Sequence, residues 1–92
     1  MSYLIAFTGS EPRPGNLLSF NFEVGGKAVT VVTKVTSRPG EPAALLNDWI
    51  ECAEAWLRFQ IDRHRYNPVK GGEIELPHDL FWEWKKTRTF PQ

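Results

Sequence analysis

The stretch LLSFNFEVGGKAVTVVTK, residues 17–34, alternates apolar and polar side chains on both sides of a Gly-Gly pair. In an extended chain successive side chains point to opposite faces. Leu18, Phe20, Phe22 and Val24 therefore share one face, and Ser19, Asn21 and Glu23 the other. Gly25 and Gly26 can both take positive φ, which the tightest hairpin turns require, and the β-branched run that follows suits a second strand. A two-residue turn also sets the register. It places Val24 opposite Lys27, Phe22 opposite Val29, Phe20 opposite Val31 and Leu18 opposite Thr33. The other face pairs Glu23 with Ala28, Asn21 with Thr30 and Ser19 with Val32. A slip of one residue would mix the apolar and polar sets, so the sequence predicts this hairpin in this register.

Outward from the hairpin, SYLIAFT (residues 2–8) reads as a first, well-buried strand ended by the loop GSEPRPGN (9–16). A second loop, SRPGEP (37–42), closes with Pro42, which suits the first turn of a helix because its missing N–H is not needed there. Over residues 43–65 the apolar positions recur at helical spacing. Leu45, Trp49, Cys52, Trp56 and Phe59 form one stripe, and Leu46, Ile50, Ala53, Leu57 and Ile61 its neighbour. Acidic residues lead (Asp48, Glu51, Glu54), and Arg63, His64 and Arg65 close, which complements the helix dipole. EIEL (73–76) reads as a short edge strand. The chain is thus expected to form one α+β domain: an antiparallel sheet of three to four strands packed on one long helix. A short C-terminal helix would lie beside it. In this arrangement Phe20, Phe22, Val29 and Val31 would meet Trp49, Ile50, Ala53, Trp56 and Leu57.

That last helix is read over residues 77–87 and contains LFWEWKK. Pro77 suits its first turn, Asp79 its start, and Lys85, Lys86 and Arg88 its end. Residues two apart on a helix are separated by roughly 200°. With Leu80, Phe81, Trp84 and Arg88 turned inward, Trp82 falls beside Asp79, Lys85 and Lys86 on the wetter side. Leaving a whole indole in water forfeits about 2–3 kcal/mol. Trp82 therefore needs a cover: the basic end of the long helix, the tail TRTFPQ, or a partner for which it is an aromatic anchor among cations.

Composition bounds the function. Eleven basic residues balance eleven acidic ones, which speaks against a dedicated duplex binder. The charge is uneven: four basic against six acidic residues over 1–57, then seven against five over 58–92. The single Cys52 cannot form an intramolecular disulfide, and a reducing, cytoplasmic setting fits best. No run approaches the ~20 apolar residues of a membrane span. His64 reads as a solvated helix-end residue. His78 beside Asp79 reads as a helix-start residue, since no Ser or Cys nucleophile neighbours the pair. One Cys and two His in no ligand spacing predict no metal, and no glycine loop predicts a phosphate or nucleotide cofactor.

The reading is a small non-enzymatic protein-interaction module, of the kind that serves as inhibitor or adaptor and that phages and mobile elements also encode. Its partner surface is assigned to Trp82, Lys85, Lys86, Arg88, Arg63, Arg65 and Tyr66. A protein is the favoured partner. Arg58 and Lys70 extend the same patch toward an alternative, a single-stranded nucleic acid stacked on the aromatics. Homodimerisation through surplus aromatics or an open edge strand is a further alternative.

Overall fold

The polar/apolar alternation of residues 17–34 is realised as strands β2 (Leu17–Val24) and β3 (Lys27–Lys34) around the Gly25-Gly26 turn. Every expected pair is present, from Val24 opposite Lys27 to Leu18 opposite Thr33. The computed structural model describes residues 3–91. β1 (Ile5–Arg13) lies antiparallel to the other side of β2. It continues five residues past the end expected from sequence. The ladder skips Thr8, a bulge that lets the strand resume at Gly9, and Thr8 Oγ1 donates to the Asn21 carbonyl at 3.1 Å. Pro12 is tolerated because β1 is an edge strand.

After β3 the chain crosses the sheet in helix α1 (Leu46–Asp62), makes a short 3₁₀ turn at Pro68–Lys70, and returns as strand β4 (Gly72–Leu76). Helix α2 (His78–Thr87) follows, within a residue of its expected span. The fold is α+β with the sheet order β1-β2-β3-β4. β4, however, runs parallel to β3, with Val31 beside Ile74 and Thr33 beside Leu76, so the sheet is mixed rather than antiparallel throughout. A helical crossover is the usual link between parallel neighbours, because it returns the chain to the edge where it left. α1 also starts later than expected. Pro42 stays outside it, and the first turn is capped by the Asp48 carboxylate, which accepts the Leu45 N–H at 3.0 Å. Leu45 and Leu46, assigned to the buried stripes, are consequently exposed.

One sheet face carries the core. Phe20, Phe22, Val29 and Val31 pack with Trp49, Cys52, Ala53, Trp56 and Leu57 of α1 and with Phe81 of α2. The opposite face is polar. There Arg13 of β1 donates both guanidinium arms to Glu73 of β4, at 3.0 and 2.9 Å, joining the two edge strands over β2 and β3. That pairing holds the Glu73 carboxyl below its ordinary pKa and raises that of Arg13. Burial pushes the Cys52 thiol up to about 12, which makes it an inert core group. No helix among the described residues is long and apolar enough to cross a membrane.

Candidate functional site

α2 is wedged between two parts of its own chain, and this determines what becomes of the two indoles. Trp84 is 6% exposed and lies against Phe90 of the tail. Trp82, placed on the wetter side by the helical wheel, is 3% exposed. The assignment of Trp82 as a solvent-facing anchor is therefore corrected. Its cover is neither of the segments named from sequence but the β3–α1 connection, residues 35–45. Trp82 Nε1 donates to Thr36 Oγ1 at 3.1 Å, and its ring meets Trp49 edge-on at 6.3 Å. Arg38 and Lys85 sit over the ring at 5.8 and 5.6 Å. Lys86 binds Glu41 at 2.9 Å and Arg38 approaches Glu83 at 3.9 Å, so this half of the assigned surface is spent on holding the connection to α2. Replacing Thr36 by Val leaves the buried indole N–H without a partner. The expected loss is about 1–3 kcal/mol in denaturant unfolding, with Thr36→Ser close to wild type.

The other half of the surface is brought together on aromatics that the sequence reading placed in the core, Phe59 and Trp84, or left in the tail, Phe90. Two residues past the end of α1, His64 takes the left-handed conformation (φ 57°). Its N–H bonds the Ile61 carbonyl at 3.0 Å, and the Arg65 N–H bonds that of Gln60 at 2.9 Å. Arg63, one turn on from Phe59, lies over its ring at 5.3 Å, and the double closure reverses the chain so that Arg65 returns over the same ring at 5.7 Å. Glycine usually takes that position, so the turn left no mark that pattern reading would detect. α2 ends in a second left-handed residue, Arg88 (φ 59°), whose guanidinium stacks 4.4 Å from the Trp84 ring. From there the tail lays Phe90 against Trp56 at 5.0 Å and Phe59 at 5.5 Å.

The result is a groove of about 360 Å³, with Phe59, Trp84 and Phe90 in its walls and Arg58, Arg63 and Arg88 among the residues that line it. Asp62 is the carboxylate in the lining. Among the described residues, no carboxylate comes within 4.0 Å of Arg58, Arg63 or Arg65, and Arg88 meets only Glu51, at 3.8 Å. Guanidiniums stacked on rings keep their N–H forks free for an incoming acceptor.

Tyr66 belongs elsewhere. Its hydroxyl donates to the Gly71 carbonyl at 2.7 Å and burial raises its pKa. It lines a separate hollow of about 650 Å³ with Tyr3 and His64. His78 and Asp79 stand 3.4 Å apart in a third cleft, of about 380 Å³, with Lys34 and Glu75. The hydroxyl in that cleft, Thr33 Oγ1, is buried and donates to the Leu76 carbonyl at 2.7 Å. Among the described residues no three His, Cys, Asp or Glu side chains converge as a metal site would need. No protein-family model, curated protein or solved structure matches this chain.

Proposed function

We propose that this protein is a small non-enzymatic interaction module that receives an acidic segment of a protein partner in the Phe59/Trp84/Phe90 groove. What supports the reading is the arginines at the groove: Arg63 and Arg88 in its lining, and Arg65 beside them, each sit over a ring, and among the described residues no carboxylate comes within 4.0 Å of Arg58, Arg63 or Arg65. Guanidinium forks recognise carboxylates in matched pairs, and arginine beside aromatics is typical of residues that dominate interfaces. A groove of about 360 Å³ is near the lower end of ligand pockets, sized for one or two side chains of a partner. Inhibitor and adaptor roles both follow from such a site.

A single-stranded nucleic acid is less well served. Stacked bases need bare ring faces, whereas Trp84 is 6% exposed and Phe59 lies beneath two guanidiniums. The test is fluorescence anisotropy with two probes, a labelled Glu/Asp-rich peptide carrying one Phe and a labelled single-stranded oligonucleotide. The peptide is expected to bind, more weakly as salt rises. The pair Arg63→Glu and Arg88→Glu should weaken it by about tenfold or more, the equivalent of about 1.4 kcal/mol. Tight binding of the oligonucleotide alone, or peptide binding indifferent to the two reversals, overturns the proposal.

A further inference from the structure

The two edges of the sheet are protected very differently. β4 is five residues long and carries Glu73 and Glu75. The second half of β1 carries Glu11, Pro12 and Arg13 beyond the bulge. Charge, proline and bulges are the usual devices that keep edge strands from pairing with other chains. Between Tyr3 and Ser10 there is neither a charge nor a proline, and the bulge at Thr8 comes only after Phe7. Two large apolar side chains nevertheless stand in water there: Leu4 is 85% exposed and Phe7 40%. Phe7 rests only one side on the core, edge-on to Phe22 at 5.6 Å.

The free hydrogen-bonding groups of this edge follow from the register. Residues flanking a two-residue turn exchange both backbone bonds, and the pattern alternates along the strand. Val24 and Phe22 therefore turn their peptide groups to β3, and Glu23 turns its own to Ala6 of β1. Ile5 and Phe7 are left with N–H and C=O directed off the sheet.

We infer that residues 4–8, Leu4 and the first four residues of β1, pair antiparallel with the same segment of a second copy of this chain. A two-fold axis at Ala6 sets Ile5 opposite Phe7 of the second copy, and Phe7 opposite its Ile5. Four backbone hydrogen bonds form, and each open Phe7 ring is covered. Leu4 falls opposite Thr8. Charge selects this occupant. An ionised side chain set opposite Ile5 or Phe7, on the face that carries the core, would be desolvated against that ring, so the complementary strand is uncharged at those positions, and this chain supplies one. Its net charge of zero lets two copies approach without long-range repulsion. The pairing makes one eight-stranded sheet with both pairs of helices on the same face.

Two measurements on the full chain test the pairing. Sedimentation velocity should give twice the 10.6 kDa chain mass for wild type. The variant Leu4→Lys, which alters a side chain 85% exposed, and the double variant Leu4→Lys, Phe7→Lys, which also gives up the edge contact to Phe22, should both give the chain mass with an unchanged circular dichroism spectrum. Separately, Ala6→Cys places two thiols across the axis, within the Cα separation of about 4.4–6.8 Å that a disulfide spans. Mild oxidation should link it far faster than the exposed control Ala28→Cys, while the buried Cys52 stays inert. A wild type monomeric at all concentrations, a lysine variant that remains dimeric, or equal cross-linking of Ala6→Cys and Ala28→Cys each overturns the inference. None of these outcomes depends on the arginine groove.

Discussion

Phe81→Ala is expected to bring this protein close to the limit of folding at 25 °C. The ring is fully buried and stacks on Trp49 with centroids 3.5 Å apart and planes 8° from parallel. It also meets Trp82 edge-on at 5.1 Å. Removing it deletes the aromatic that joins α2 to α1 and leaves a cavity bounded by two rigid indoles, which cannot collapse to fill it. Phenylalanine-to-alanine changes at such sites cost about 3–5 kcal/mol. A domain of this size has total stability of about 5–15 kcal/mol, so the loss is a large fraction of what exists. At roughly 4–8 °C per kcal/mol, the thermal midpoint should fall on the order of 20 °C. Thermal unfolding followed by circular dichroism reads this directly. A fall of only a few degrees would mean that α2 is not held through this stack.

Gly71→Ala is the second large effect, and it acts through the backbone. Gly71 has φ 65° and ψ −162°, a combination almost restricted to glycine. A Cβ there would also lie 3.2 Å from the Ala28 carbonyl oxygen, a backbone atom of β3. The residue cannot rotate away. Its N–H bonds the Pro68 carbonyl at 3.0 Å and its own carbonyl accepts the Tyr66 hydroxyl at 2.7 Å. The expected loss is about 2–3 kcal/mol in denaturant unfolding, the upper part of the range for forced backbone strain. Gly72→Ala is the comparison. Its φ is also positive, at 98°, but nothing lies within 4 Å of an added Cβ. It should be the milder of the two. Equal losses would show that conformational strain alone, without the contact to β3, accounts for the effect.

How much of this was legible in the sequence differed by element, for physical reasons. The β2–β3 register was complete because a two-residue turn and a period of two leave one solution. The span of α2 was close because proline and charge punctuate both ends. The direction of β4 was missed, since EIEL reads the same in a parallel or an antiparallel ladder and the sign of it lay in the long helix before it, the usual link between parallel neighbours. The fate of Trp82 was lost for a related reason. A helical wheel gives the angle between indoles, but a helix covered on two sides shelters both. The cover, residues 35–45, carries the loop signals SRPGEP and nothing that announces Thr36 as a hydrogen-bond acceptor. Of the assigned surface, Arg63, Arg65 and Arg88 gather around the groove rings. Lys85 and Lys86 turn to Trp82 and Glu41, and Tyr66 lies in another hollow.

The parallel pairing of β4 with β3 imposes an order of assembly on the chain. β1, β2 and β3 are sequence neighbours joined by short turns, so their contacts close small loops and form early. Val31 and Ile74 are joined only after the whole intervening helix has been placed, a long closure whose entropy must be met before the contact returns anything. Until then the three-stranded meander shows Phe20, Phe22, Val29 and Val31 to water, and β3 has a bare flank. During synthesis this interval lasts from the emergence of the hairpin to that of β4, and the nascent chain is most vulnerable to misassociation within it.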